Sequence, residues 1–484
     1  MRRLGLALLL ALVSLRAAPA GAQDLRGWAT STFRFLELRP LERVVVDPTL
    51  LVEQDGQFYL DGEPVPCGAA DNCVLYRPAD VDGTTVGTQD VGLTAWDLGT
   101  EGLSVTTLLR GRARFGGDFV WPRSEDEVDA LLLYAQLTRD RWRFRLGRQR
   151  TNSGLGFTGF DGASAMFTPG PFTLEGYGGR SLARGLAEPR DEALRGIEDF
   201  VLDQDAYLMG GFVQGRFDGG TKVGLRYQRE IWSDRSGLIS ERASLDARTD
   251  RLRPYHLRGS VDWDFAFGRL GKATLQAQRA FPSVGLSVTL EGRRYVPYFE
   301  LSTVWGFFSP VAYHEAMARV AWSGERVGAW VRGGWRTYDE ADVAEVFDPL
   351  EDDGWRAEVG GDARLGRMWT VQGSYDVEWG VGAFLSSADA RVRFRPRDRV
   401  DLSAYATTFQ RIAEFRVGDG RVVGGGLDVG LQLREGLRLD GGAAIYRHDT
   451  DRPGEDVWNQ TRVWSSLRID FGEDPARPRV RLRR

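Results

Sequence analysis

Arginine and acidic residues recur at every second position through the C-terminal half of this 484-residue chain, as in Arg391-x-Arg393-x-Arg395 and Asp376-x-Glu378. Side chains two apart share one face of a β-strand, so guanidinium groups in that pattern either pair with carboxylates across a sheet or present a basic surface to anions. Residues for other chemistry are few. His256, His314 and His448 are the only imidazoles, and none lies in an H-E-x-x-H, G-x-S-x-G or phosphate-loop context. No enzyme activity, metal or cofactor is therefore expected; a hydrolase whose triad is scattered along the chain is the competing possibility.

Cys67 and Cys73 are the only cysteines. In an exported protein a pair this close reads as a disulfide closing a small loop, and its spacing is not that of a redox or zinc motif. Export is expected from the N-terminus. Arg2 and Arg3 precede the apolar run Leu4 to Leu15, and Ala20-Gly21-Ala22 is a small-residue cleavage site, so residues 1–22 read as a signal peptide. Its removal takes away Arg2, Arg3 and Arg16 but no acid, making the formal charge of -5 more negative. That balance argues against nucleic-acid binding.

What must position the charges is a set of strands. From about Val91 onward the dominant period is two: Trp369, Val371, Gly373, Tyr375, Val377 and Trp379 fall on one face, Thr370, Gln372, Ser374, Asp376 and Glu378 on the other. Trp355 to Leu365 alternates likewise, and Gly366-Arg367 between the two runs is a tight-turn signal. The same hairpin unit recurs over 131–148, 206–232, 255–281 (turning at Gly268 to Gly271), 314–338, 384–411 and 422–448, and a last strand runs from Val457 to Phe471. Turns inside these units are short. Ser181 to Gln204, Ser233 to Arg253 and Asp339 to Gly354 read as longer polar loops between them.

Short turns alternating with long loops, and strands of about 10 to 13 residues, predict an all-β fold: a single transmembrane antiparallel β-barrel of about 18–22 strands, with short periplasmic turns and long extracellular loops. Asp24 to Leu38 is the expected first strand, residues 39–90 a long loop carrying the cysteine pair, 23–471 the barrel and 472–484 an Arg-rich tail. Thr151 to Phe160 is expected as a loop folding into the mouth. Trp355, Trp369, Trp379, Phe384, Phe394 and Phe471 sit towards strand ends, where interfacial girdles belong. No apolar run of about 18 residues occurs beyond the N-terminus, so helical membrane crossing is excluded. The expected location is the outer membrane of a Gram-negative-type bacterium.

If the apolar face meets lipid, the polar face lines a lumen. The pore-charge candidates are Arg319, Arg326, Arg332, Arg336, Arg356, Arg364, Arg391, Arg393 and Arg395 with Glu358, Asp362, Asp376, Glu378 and Asp389, joined on the same face by Arg399, Arg411, Arg438, Arg462 and Arg468 and by Glu315, Asp401, Asp428, Asp440 and Asp470. So many charges cannot sit in a dry core. They form either a ladder of ion pairs bracing the wall or a basic stripe attracting anionic solutes.

Leu146-Gly147-Arg148-Gln149, followed by a Gly-containing loop and Phe160-Asp161-Gly162-Ala163, resembles the strand, loop and returning strand of alginate-export-like outer-membrane porins. That resemblance implies a monomeric barrel with an Arg-rich conduit for acidic polysaccharide. The end of the chain, with Val463, Leu467, Ile469 and Phe471 on one face, is similar to the terminal strand by which bacterial barrels are recognised by the barrel-assembly machinery, although residues 472–484 follow it. Together these features predict a porin-like channel for small polar or anionic solutes, embedded in outer-membrane lipid. The alternatives are a barrel that sheathes a partner such as an electron-transfer protein, or an outer-membrane hydrolase.

Overall fold

A computed structural model describes residues 24–39, 41–54, 57–60, 63–65, 67, 73–116, 127–153, 155–182, 206–233, 237–296, 312–339, 353–380, 383–413, 420–450 and 457–472. Residues 1–22, expected as a signal peptide, and the expected tail 473–484 lie outside the described residues.

Strand β1 (Asp24–Leu38) leads into an excursion of small strands, β2 (Leu41–Val46), β3 (Val52–Gln54), β4 (Gln57–Leu60), β5 (Glu63–Val65) and β6 (Cys73–Pro78). Then follow β7 (Asp82–Trp96), β8 (Leu103–Phe115), β9 (Glu127–Arg139), β10 (Trp142–Ser153), β11 (Gly156–Phe167), β12 (Phe172–Ser181), β13 (Ala206–Phe217), β14 (Thr221–Trp232), β15 (Leu238–Thr249), β16 (Tyr255–Asp264) and β17 (Arg269–Phe281). The wall is completed by β18 (Leu286–Tyr295), β19 (Tyr313–Ser323), β20 (Val327–Tyr338), β21 (Asp353–Leu365), β22 (Trp369–Gly380), β23 (Ala383–Arg397), β24 (Val400–Ala413), β25 (Gly420–Arg434), β26 (Leu437–Thr450) and β27 (Trp458–Gly472). β1 pairs antiparallel with both β7 and β27, so a sheet of 22 strands closes on itself. Closure leaves this wall without a terminal edge strand.

Alternation decides the two faces. Leu225, Leu275, Val331, Val359, Leu427 and Ile445 stand exposed on the outside, as lipid-facing residues must. Aromatic pairs mark both ends of this band: Trp369 on Phe394 and Trp142 on Phe167, each with ring centroids 4.2 Å apart, and Trp379 against Phe384 at 5.6 Å at the other end. At one end every connection is short, from 97–102 and 140–141 through 366–368 to 435–436, none longer than six residues. Gly366 and Gly436 turn there with φ of +74° and +72°, a region open to glycine without a Cβ clash. The opposite end carries 39–81, 182–205, 296–312 and 339–352. This is the asymmetry of a barrel with short periplasmic turns.

The structure corrects several sequence expectations. Residues 233–253 are not one loop, because β15 occupies Leu238–Thr249. Its run Glu241, Arg242, Asp246 and Arg248 is charged on both faces near its ends, which hides the alternation. That extra strand inverts the neighbouring hairpin: the β16–β17 turn, at 265–268 and not Gly268 to Gly271, lies at the long-loop end. The excursion ends at 81, not 90, since β7 begins at Asp82. Within it β2 pairs with β6 and β4 with both β3 and β5, and the Cys67–Cys73 disulfide closes beside the apolar cluster of Val46, Val65 and Leu75.

Thr151 to Phe160 is likewise no loop. β10 and β11 pair with each other as far as Ser153 and Gly156, but the β9–β10 ladder stops at Leu133 with Arg148 and the β11–β12 ladder at Phe160 with Ser181. Beyond those points the hairpin leaves its neighbours. An edge of β9 is thereby opened towards lipid, where an unpaired backbone group is costly. Arg148, on the outer face, closes it: Nη1 donates to Ala130 O at 3.0 Å while Nε and Nη2 donate to Asp161 at 2.7 and 2.8 Å. Asp161→Asn is expected to lower barrel stability by about 2 kcal/mol, the worth of charged hydrogen bonds of this kind. Urea unfolding in lipid vesicles measures it, and an unchanged midpoint would refute this role.

Candidate functional site

Inward positions of β18 to β27 gather their charges into two groups at different heights. Near the long-loop end Glu315 is the centre of a knot. Its side chain is 1% exposed and takes Arg356 Nη2 at 2.9 Å, Arg336 Nε at 3.1 Å and Arg293 Nη1 at 3.7 Å. Arg336 also bonds Glu378, and Arg293 bonds Glu291 at 2.7 Å. Three guanidinium groups thus face three carboxylates, which makes the knot neutral. Such a buried set must be complete, because a charge left unpaired out of water costs several kcal/mol. Below it Arg332 meets Glu358 at 3.4 Å, and Trp330 donates to the same carboxylate at 3.0 Å.

Near the short-turn end the arrangement differs. Arg391, Arg393, Arg395 and Arg438 line a depression of about 550 Å³ in the lumen wall with Asp401, Asp428 and Asp440, and Trp464 at its side. Arg393 Nε lies 2.7 Å and Arg395 Nε 3.2 Å from Asp401, Arg438 Nη2 lies 2.6 Å from Asp440, and Arg391 Nη1 lies 3.8 Å from Asp428. The short aspartates stay close to the wall while the longer arginines extend over them. Arg395 is 54% exposed against 21% for Asp401, and Arg391 46% against 24% for Asp428. Four arginines to three aspartates leave this cup basic, with its positive groups outermost.

The sequence candidates distribute as follows. Arg336, Arg356 and Glu378 join the knot, Arg332 and Glu358 form the pair below it, and Arg391, Arg393 and Arg395 form the cup. Arg319 faces inward with its guanidinium 5.8 Å from the Trp330 ring, and Asp376 accepts from Ser387. Arg364, Asp362 and Asp389 face inward without an ion pair among the described residues. Arg326 lies just outside the strands, in the turn 324–326 at the short-turn rim, where its carbonyl accepts from the Arg364 N–H at 2.7 Å. Arg293 and Glu291 are not among the candidates, because Gly285, Gly292 and Pro297 make Val284 to Trp305 read as an interrupted segment, whereas Leu286–Tyr295 forms β18. At the short-turn rim the His256 ring, 2.8 Å from Asp250, holds that carboxyl below the usual carboxylate range.

A closed antiparallel wall with an apolar, aromatic-girdled outside and a charged inside crosses a membrane. The fold is that of an outer-membrane β-barrel. Two solved receptor structures share the fold. The siderophore receptor PirA from Pseudomonas aeruginosa is similar over 94% of this chain and 81% of its own, at 11% identity and a TM-score of 0.54. A mutant of the ferric enterobactin receptor PfeA from the same organism is similar over 92% and 80%, at 10% identity and a TM-score of 0.53. A BenF-like porin from Pseudomonas fluorescens Pf-5 aligns over 93% of this chain and 100% of its own, at 10% identity and a TM-score of 0.42. No family model and no curated protein matches the sequence.

Proposed function

We propose that this barrel is a passive outer-membrane channel for small polar solutes that favours anions. The observation that carries this reading is the cup, where exposed guanidinium groups stand above their carboxylates. A solute in the lumen meets Arg391, Arg393, Arg395 and Arg438 before it meets Asp401, Asp428 or Asp440. Each pair is then a dipole with its positive end in the water, and the extra arginine adds net charge to the same place. The knot around Glu315 has no such bias and braces the wall.

The purified protein in planar bilayers is expected to conduct, with a reversal potential in a KCl gradient that has the sign of chloride preference. That preference is expected to shrink as salt rises from 0.1 M to 1 M, because the screening length falls from about 10 Å to about 3 Å. A folded barrel without conductance would sink the channel reading. Cation preference at low salt would sink the assignment of the cup.

A further inference from the structure

The free end of the β10–β11 hairpin touches a part of the wall it does not adjoin. Arg226 Nη1 on β14 donates to Thr151 Oγ1 at 3.1 Å, Gln228 Nε2 on β14 to Thr158 Oγ1 at 3.3 Å, and Arg242 Nη1 on β15 to the Leu155 carbonyl at 3.1 Å. Three to four strand spacings, about 14 to 19 Å of wall, separate these partners. The wall between is intact, since β12 and β13 pair from Phe172 with Gly215 up to Arg180 with Tyr207. Arg226 and Gln228 alternate with the exposed outer residues Leu225 and Tyr227, so both point inward. The hairpin end therefore lies inside the lumen, flat against the inner face of β12 and β13.

Burial agrees with this placement. Phe160, Tyr177 and Leu208 face the lumen yet form a cluster closed to solvent, and Leu155 and Thr158 are buried with them. Gln149 is 2% exposed at the base, where Nε2 donates to Gly162 O at 3.0 Å and Oε1 accepts from Ser164 at 2.7 Å. The bend itself falls where glycines meet. Gly147 has φ of +119°, and a Cβ on Gly162 would collide with the backbone of Gly178 and Gly179. Gly147, Arg148, Asp161 and Gly162, the motif residues singled out in the sequence, thus build a fixed hinge: glycines allow the bend and the outer ion pair seals the wall behind it.

Resting on the channel reading, we infer that this hairpin end is the size-limiting element of the pore, held against the wall by a latch of Arg226, Gln228 and Arg242. A second sheet layer on an inner wall takes about 10 Å from the lumen along that arc. The latch side chains are themselves braced, Arg226 by the Phe212 ring at 4.6 Å and Arg242 by Asp262 at 3.6 Å. They set where the hairpin lies without taking part in the barrel ladder.

The test compares the full-length protein with Arg226→Ala/Gln228→Ala/Arg242→Ala, each shown to be folded by heat-modifiable migration on gels. The unlatched variant is expected to raise single-channel conductance about two-fold and to admit larger oligosaccharides in liposome swelling. A second variant, Thr151→Cys/Arg226→Cys, is expected to keep the parent's conductance when bridged by a bifunctional thiol reagent and to rise when the bridge is cleaved. Conductance and size limit equal to or below the parent's in both experiments would overturn the inference while leaving the channel reading intact. A silent parent with a conducting unlatched variant would support the latch and show that it closes the pore. Silence of every folded form would sink the channel reading itself.

Discussion

Glu315→Gln is expected to lower the stability of the folded barrel by about 4 kcal/mol, the loss typical when one member of a buried ionic set is removed. Arg293, Arg336 and Arg356 converge on this one carboxylate, which is 1% exposed. The amide keeps the shape and one acceptor oxygen but removes the charge, so three guanidinium groups remain with only Glu291 and Glu378 between them. Glu358→Gln is the contrast. Its pair with Arg332 is 31% exposed on both sides, and water there screens the loss to about 1 kcal/mol or less. Unfolding in lipid vesicles, followed by tryptophan fluorescence, measures both. If the two variants lost the same stability, Glu315 would not be the keystone of the knot.

Replacing Arg391, Arg393 and Arg395 with Glu is expected to reverse the ion preference of the channel without unfolding it. The substitutions change the cup by six units of charge. At about 8 Å each unit acts on a passing ion with about 0.5 kcal/mol in water, and screening at 0.1 M salt removes roughly half. The chloride-to-potassium permeability ratio should therefore fall by about ten-fold or more, crossing unity. At 1 M salt most of the change should vanish. Reversal potentials read this directly, and a ratio that stays on the chloride side would show that ions pass elsewhere than the cup.

The hairpins with clean alternation were legible to within a few residues. Gly366-Arg367 marked the β21–β22 turn, and Trp355, Trp369, Trp379 and Phe384 stand on the outer face at strand ends as their spacing implied. Such features are local: a period of two and a tight turn depend on neighbours in the chain. β15 was lost because its lipid-facing positions include Glu241, whose carboxylate is bonded by Tyr227 near the rim and need not be apolar. A period of two does not mark where a strand ends, so Arg326, which the spacing places in a strand, lies in the turn before β20.

The sequence by itself determined that the chain is a barrel, which residues face lipid and which face water, and that the inner face is rich in arginine. It did so because alternation along a strand assigns faces before any strand has found its partner. Only the tertiary structure decided how those charges act. Whether an arginine is tied into a neutral knot or stands over its aspartate in the lumen depends on register between strands distant in sequence, such as Glu315 with Arg356 or Arg391 with Asp428. The same holds for the β10–β11 hairpin: its residues announce a turn, but Arg226 and Arg242, which bond it inside the lumen, are brought to it only when the sheet curls and closes.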